Sequence, residues 1–351
     1  MTPLSPFVPL VEVTRGSLVE SVHLGALAIV ESNGKLIYCL GDPYWVTFLR
    51  SSAKPFQALP LIESGGEAAY GLTDSEIALM CASHSGTDEH VAALLAFQAK
   101  VGLTESDLLC GSHPPFHLPT VEAMHQRGEK PGPNRHNCSG KHTGFLTYTK
   151  LNGLPKDGYI DLQNPLQRKV LQTFAEMIDY PEADIATGID GCSAPVFAAP
   201  LFHAAYGFAR LADPHALPAL RAAACRRITR AMAAAPFMVA GPERFDTLAM
   251  EAAGGRIIAK TGAEGFQAMA LLPGALGPNS PGIGIAYKVA DGDLNGRARP
   301  VIGVEILRSL NLLSNTQVQE QFAALAARPV TNWRGLEVGQ MRPVFHLDDF
   351  L

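Results

Sequence analysis

Apolar runs bounded by turn residues occupy the first part of the chain. Two of them, residues 26–32 and 35–40, flank Asn33-Gly34, a pair that readily adopts the left-handed conformations of a two-residue hairpin turn. The pattern therefore predicts two antiparallel strands joined by this turn.

Helical spacing of apolar residues prevails in the middle of the chain. Thr73 and Glu76 have the spacing of a capping box before an apolar stretch, and Thr87 is expected to begin a second helix that ends at Gly102. The same spacing predicts further helices at residues 52–63, 139–151, 165–178, 199–211 and 217–235.

The pattern changes again after Pro242. Apolar runs predict strands at residues 256–260, 265–272, 282–289 and 344–346, with helices at 301–313 and 317–326. Strands at both ends with helices between them predict an α+β fold, in which one antiparallel sheet is built from both chain ends. We expect a single domain, residues 1–351, with a sheet lobe of about 1–50 and 241–351 and a mainly helical lobe of about 51–240.

The composition is that of a globular protein with a large core. Of the 351 residues, 47% are hydrophobic and 17% are charged, and the net charge of −5 comes without a basic cluster, which argues against nucleic-acid binding. Residues 1–13 lack the basic and apolar regions of a secretory signal, and no run of about eighteen apolar residues spans a membrane. The six cysteines are therefore expected to be thiols or ligands in a reducing compartment, the cytoplasm.

Two short motifs indicate a serine nucleophile. Residues 51–54 have the spacing S-x-x-K, which places Ser51 and Lys54 on one face of a helix, and residues 260–262 read K-T-G. A lysine can accept the proton of a serine hydroxyl once it is neutral. Desolvation or a nearby cation can make Lys54 neutral, and Lys260 is the candidate for that cation.

The element S-x-N, expected between these two motifs in penicillin-recognising acyl-transferases, is absent from that position. The sequence Ser309-Leu310-Asn311 follows K-T-G and is expected to be an ordinary helical segment. Together with the missing export signal, this argues against a substrate of the cell wall or a β-lactam.

Five sequence blocks resemble those of one family. They are R-S-S-A-K-P-F-Q at 50–57, C-A-S-H-S-G at 81–86, H-N-C-S-G-K-H at 136–142, D-G-C at 190–192 and A-K-T-G-A-E-G at 259–265. In this order, over nearly the whole chain, they resemble the rhizobial-type (class 3) L-asparaginases. That family is similar in fold to serine β-lactamases and penicillin-binding proteins, and it hydrolyses L-asparagine to L-aspartate and ammonia. The resemblance implies this fold and activity, and we also expect a homodimer.

The resemblance also implies roles for individual residues. Ser51 would be the nucleophile and Lys54 its general base, while Ser83 and Lys260 would form a second Ser-Lys pair. Two serines linked by two lysines can relay the protons that amide hydrolysis requires. Arg50 would position the nucleophile or offset charge beside it, or it would only anchor the helix.

Cys138, Lys141 and Cys192 match the zinc-binding positions of the family, and the resemblance implies one zinc per chain that supports substrate binding more than chemistry. Thiolates suit zinc, but a lysine must lose its proton to become a ligand. From the residues alone, His136 or His142 would be preferred as the third ligand, and two buried thiols without metal are the alternative.

The substrate L-asparagine carries an ammonium and a carboxylate on its α-carbon. Asp190 is the best acid for the ammonium in the matching blocks, and His142 and Lys141 lie where they could meet the carboxylate. A turn aspartate is the alternative role for Asp190. Three other functions stay open: a glutaminase or small-amide hydrolase of the same fold, a β-lactam-binding or hydrolysing protein, and a non-catalytic protein stabilised by zinc.

Overall fold

The strands form two antiparallel sheets. The computed structural model describes residues 5–294 and 296–347. Within them the strands are β1 (Val8–Arg15), β2 (Leu18–Glu31), β3 (Leu36–Leu40), β4 (Val46–Phe48), β5 (Ala186–Ile189), β6 (Pro195–Pro200), β7 (Ile257–Thr261), β8 (Phe266–Leu271), β9 (Ile283–Val289), β10 (Arg328–Thr331) and β11 (Glu337–Pro343). The larger sheet has the order β10-β11-β1-β2-β9-β8-β7, with β3 also paired to β2. The smaller sheet has the order β4-β6-β5.

Most helices come after β4 and before β7 in the chain. The helices are α1 (Lys54–Glu63), α2 (Gly66–Tyr70), α3 (Asp74–Met80), α4 (Asp88–Val101), α5 (Leu118–Gln126), α6 (Ser139–Leu151), α7 (Pro165–Ile178), α8 (Leu201–Ala212), α9 (Ala219–Ala234), α10 (Pro236–Val239), α11 (Phe245–Ala252), α12 (Ala298–Ser309) and α13 (Asn315–Gln321). No helix in the described part of the chain combines the length and apolar character needed to cross a membrane.

The predicted α+β architecture is confirmed in part. The larger sheet takes β1 to β3 from the N-terminal part of the chain and β7 to β11 from the C-terminal part, as expected. The smaller sheet was not predicted, and its strands β5 and β6 lie in the region expected to be mainly helical. Because residues 195–200 form buried β6, the helix predicted to begin at residue 199 begins at Leu201. The ends of the predicted domain, residues 1–4 and 348–351, lie outside the described residues.

Local signals identified several elements correctly. β2 and β3 pair antiparallel across the turn at Asn33-Gly34, where Gly34 has φ 87°. Thr73 caps α3 through a reciprocal bond with Glu76, and Thr87 caps α4, which ends at left-handed Gly102. Side-chain caps satisfy backbone N–H groups that have no partner within the helix.

The strand predicted at residues 344–346 is wrong in position. The strand here is β11, Glu337–Pro343, which pairs with β1 and β10. Most of its residues are exposed or half-buried, so the sequence lacks the apolar alternation that signals a strand. Backbone pairing with β1 determines its position instead.

The end of β7 approaches the turn before α1 very closely. A Cβ atom at Gly262 would lie 2.6 Å from the Leu49 carbonyl oxygen and 3.1 Å from Ser52 Oγ. Ser52 Oγ donates a hydrogen bond to the Lys260 carbonyl at 2.6 Å. The glycine of K-T-G therefore lets the two predicted motifs lie side by side.

Candidate active site

Ser51 lies in a 3-10 turn at the entrance to α1. The turn comprises Arg50–Ala53, and α1 begins directly after it at Lys54. Residues three apart in such a turn lie on one face, which makes Ser51 and Lys54 neighbours. Lys54 is buried, whereas Ser51 is half-buried, and the Ser51 hydroxyl has no hydrogen-bond partner among the described residues. Ser51 thus presents a free hydroxyl.

Arg50 anchors this turn to the loop after β5. Its backbone is left-handed, with φ 51°, a conformation that costs an ordinary residue about 1–2 kcal/mol. Its guanidinium donates from two nitrogens to Asp190 Oδ1 at 2.8 and 2.9 Å, and the Gly191 N–H donates to the same oxygen at 2.8 Å. Burial raises the pKa of Asp190, but Lys141 and Arg50 outweigh burial and lower the pKa below its ordinary value. Asp190 is therefore a carboxylate at neutral pH.

Ser83 bridges the two lysines. Its Oγ lies 3.0 Å from Lys54 Nζ and 2.8 Å from Lys260 Nζ, and all three side chains are buried. Lys54 also donates to the carbonyl oxygens of Ala82 and Asn137, the latter at 3.4 Å. The structure thus brings Lys54, Ser83 and Lys260 into one hydrogen-bonded group beside Ser51.

The surroundings of Lys260 lower its pKa and so favour its neutral form. Burial lowers its pKa to about 7, and the ammonium of Lys54 adds to this effect, while Asp246 opposes it. Sequence reasoning cast Lys260 as the cation that makes Lys54 neutral. In the structure it is the pKa of Lys260 that is lowered, and Lys54 contributes to that shift. A neutral Lys260 amine can accept a proton from Ser83.

Asp246 holds Thr261 of the K-T-G strand through hydrogen bonds. The sequence analysis did not identify this residue. Its carboxylate accepts the Thr261 N–H at 2.7 Å, the Thr261 hydroxyl at 3.0 Å and the Gln267 amide at 2.8 Å. Asp246 is 1% exposed, and Gln267 is fully buried. No motif marks either residue, because they meet Thr261 only through the packing of α11 and β8 on β7.

Cys138, Lys141 and Cys192 lie together at the start of α6. Lys141 Nζ donates to Cys192 Sγ at 2.9 Å, and all three residues are buried. A hydrogen bond from the Cys192 thiol lowers the pKa of Cys138 well below its ordinary value. Burial lowers the pKa of Lys141, but the two sulfurs outweigh burial and raise it. The Lys141 ammonium and the Cys138 thiolate therefore stabilise each other electrostatically.

His142 is fully buried beside this sulfur cluster. Its Nδ1 lies 2.7 Å from the Tyr159 hydroxyl, which also accepts the Leu109 N–H at 2.8 Å. The Tyr159 hydroxyl can donate to Nδ1 or accept from it, since a hydroxyl oxygen has a second lone pair, and the tautomer of His142 decides which. Nε2 is buried and has no hydrogen-bond partner among the residues that the structure describes. The residue predicted to meet substrate is thus enclosed by protein in this arrangement.

The L-asparaginase II family model matches residues 11–343. The chain belongs to the L-asparaginase II family. This confirms the family resemblance and identifies the protein as an amidohydrolase. The comparison with curated proteins finds no match.

Solved structures similar to this family member include two glutaminases. One is a probable glutaminase from Bacillus subtilis complexed with 6-diazo-5-oxo-L-norleucine, with 13% identity, covering 82% of this chain and 84% of that chain at a TM-score of 0.36. The other is a Bacillus glutaminase in the presence of 4.3 M NaCl, with 13% identity, covering 82% of this chain and 91% of that chain at a TM-score of 0.38. At this level of similarity, they add nothing to the family assignment.

The zinc implied by the resemblance can be compared with the donor atoms of this L-asparaginase II family member. Two sulfurs, the Lys141 amine and the unpartnered His142 Nε2 converge, which suits zinc once Lys141 loses its proton. Across residues 5–294 and 296–347, no three His, Cys, Asp or Glu side chains are grouped to hold a metal ion, so the site depends on Lys141. The donor set fits zinc on that condition.

The sequence Ser309-Leu310-Asn311 spans the C-terminal end of α12, so the helical interpretation holds for Ser309 alone, and Asn311 is left-handed with φ 56°. Ser309 is the last residue of α12, and its hydroxyl donates to Glu305 at 3.4 Å. This segment supplies no third element to the group formed by Ser51, Lys54, Ser83 and Lys260.

Proposed function

We propose that this family member hydrolyses L-asparagine to L-aspartate and ammonia through an acyl-enzyme on Ser51. The observation that carries the proposal is the Ser83 hydroxyl, held between Lys54 and Lys260, with Lys54 directly after the turn that contains Ser51. The S-x-x-K and K-T-G motifs, and the serine β-lactamase-like fold they imply, support the same chemistry.

The mechanism starts from the state in which one of the two lysines, Lys54 and Lys260, is neutral and the other is protonated. When Lys260 is neutral, Ser83 donates its hydroxyl proton to Lys260 and takes one from Lys54, which leaves Lys54 neutral. Neutral Lys54 then accepts the Ser51 proton as Ser51 Oγ bonds to the amide carbon. The C–N bond breaks as Lys54 returns that proton to the departing nitrogen, so ammonia leaves and an ester remains on Ser51. Water attacks this ester with the same proton transfers and releases the carboxylic acid.

Asp190 is the residue we assign to the substrate's α-ammonium. Arg50 and Gly191 both bond to Oδ1, and no described residue bonds to Oδ2, which can therefore accept a hydrogen bond from a ligand. A carboxylate held in place by an arginine can bind an ammonium without a large loss of side-chain entropy. Arg50 then positions both Ser51, through the backbone, and Asp190, through its guanidinium.

The activity is tested by ammonia release from a panel of amides. We expect kcat/KM for L-asparagine to exceed that for L-glutamine by about tenfold or more, because one extra methylene in a fitted pocket costs ~1–3 kcal/mol. The five matching blocks are the reason for expecting asparagine. A higher value for L-glutamine would make the protein a glutaminase, and turnover of nitrocefin would revive the β-lactam alternative. Zinc binding without hydrolysis of either amide would favour the alternative of a non-catalytic protein stabilised by zinc.

For the metal, we propose that Cys138, Lys141 and Cys192 hold one zinc. When bound, it would polarise and orient a polar group of the substrate. The residues of the Ser51 site carry the proton transfers, so the metal supports substrate binding. We also keep the homodimer and the cytoplasm as proposals.

We expect purified protein to contain about one zinc per chain and Cys192→Ser to lose it, because removing one of two thiolates leaves too few ligands. Metal-free enzyme should keep most of its kcat while its KM for L-asparagine rises. Metal analysis and kinetics with and without a chelator measure both effects. Cys39→Ser is the matched control, since Cys39 is exposed and lies on β3. Metal-free wild-type protein at purification would refute the site, and loss of kcat on chelation, reversed by zinc, would make the metal catalytic.

A further inference from the structure

Arg244 is a cation without an anion. Its guanidinium makes neither a hydrogen bond nor an ion pair with any residue in the described ranges 5–294 and 296–347. Its Cζ lies 5.8 Å from the centre of the Phe116 ring. Burial lowers the pKa of Arg244, and Arg299 adds to this, while Asp246 opposes it. Removing a guanidinium from water without a partner is unfavourable unless a ligand supplies the missing charge.

Backbone bonds attach this part of the chain to the proposed catalytic centre. The Ser83 N–H donates to the Val239 carbonyl at 2.9 Å, and Ser85 Oγ donates to the Ala240 carbonyl at 2.8 Å. Arg244 follows a few residues later, immediately before α11. Its positive charge also contributes to the lowered pKa of Lys260, which places it in the electrostatic field of the site.

Among the described residues, Asp246 is the carboxylate whose charge acts on the pKa of Arg244. Asp246, two residues away, uses its oxygens for Thr261 and Gln267. The two cationic candidates from the sequence are engaged elsewhere, since Lys141 bonds to Cys192 and His142 to Tyr159. Arg244 is half-buried, so a small ligand can reach it.

We propose that Arg244 binds the α-carboxylate of the amino-acid substrate, with Asp190 binding the α-ammonium of the same molecule. This inference rests on the proposed function and deepens it. A guanidinium presents paired N–H donors that match a carboxylate, which gives both affinity and orientation. An amide substrate held at both charged groups would enter the Ser51 site in one orientation.

Two amides that differ only in the carboxylate test this assignment. They are L-asparagine and 3-aminopropanamide, which is L-asparagine without its α-carboxylate. For Arg244→Gln, we expect kcat/KM for L-asparagine to fall about 10- to 100-fold, mainly through KM, while that for 3-aminopropanamide changes little. Arg244→Lys should restore part of the loss. Arg230→Gln is the matched control, because Arg230 is 71% exposed on α9.

The ratio of the two kcat/KM values is the decisive quantity. Losing the charge of Arg244 also alters Lys260, but that change affects both amides equally and leaves the ratio unchanged. An equal loss for both amides in Arg244→Gln would overturn the assignment and leave Arg244 with a packing role against Phe116.

Ligand binding separates failure of this inference from failure of the proposed function. If wild-type protein hydrolyses no asparagine, calorimetry with L-aspartate and β-alanine, which lacks the α-carboxylate, still tests Arg244. Tighter binding of L-aspartate than of β-alanine, abolished by Arg244→Gln, would support the carboxylate site. Equal or absent binding of the two ligands by wild-type protein would overturn it.

Discussion

Ser51→Ala is expected to lower turnover of L-asparagine by about a thousandfold or more, because it removes the atom that forms the acyl-enzyme. The fold should persist, since the Ser51 hydroxyl has no hydrogen bond to lose within the described chain and the residue is half-buried. Steady-state ammonia release measures the activity, and thermal unfolding by circular dichroism measures stability. Ser17→Ala, at an exposed turn, is the matched control.

Activity above about a hundredth of wild type in Ser51→Ala would remove the nucleophile assignment. Ser83 is the alternative nucleophile, because its Oγ lies 3.0 Å from Lys54 Nζ and 2.8 Å from Lys260 Nζ. Mass spectrometry after reaction with an electrophilic asparagine analogue distinguishes the two. A label on Ser51 supports the proposed mechanism, and a label on Ser83 would exchange the roles of the serines.

Lys260→Met should lower kcat/KM by about a hundredfold or more, because Ser83 loses the amine that accepts its proton. The same reasoning predicts the pH dependence of the wild-type enzyme. Burial and Lys54 lower the pKa of Lys260 to about 7. Below that pH Lys260 is protonated and cannot accept, so activity falls as pH drops and rises through about 7 toward the alkaline side.

Lys260→Arg separates charge from proton transfer. An arginine keeps the positive charge but does not lose its proton, so this variant should stay inactive across the whole range from about pH 6 to 9. Lys35→Met, at an exposed position in the first hairpin, is the control for lysine replacement. A wild-type kcat/KM that is flat over this range, or an active Lys260→Arg, would contradict a lysine acceptor.

Short-range signals predicted the elements that depend on neighbouring residues. Thr73 and Thr87 begin helices because their side chains bond to N–H groups within the next turn. Gly34 permits the hairpin turn whatever the tertiary surroundings. β11 and the smaller sheet escaped prediction. Their positions depend on backbone bonds to distant strands, and exposed β11 carries no apolar alternation.

The sequence by itself determined the family, the S-x-x-K and K-T-G motifs and the identity of the clustered cysteines, because each is a matter of residue type and spacing along the chain. Only the tertiary structure decided which groups meet. The contact of Ser83 with both lysines joins α1, the end of α3 and β7, and it is burial in that contact that lowers the pKa of Lys260. Arg244 had no motif at all, since the absence of a partner is a property of its three-dimensional surroundings. Proton affinity and unpaired charge depend on what surrounds a side chain, and those surroundings are assembled by folding.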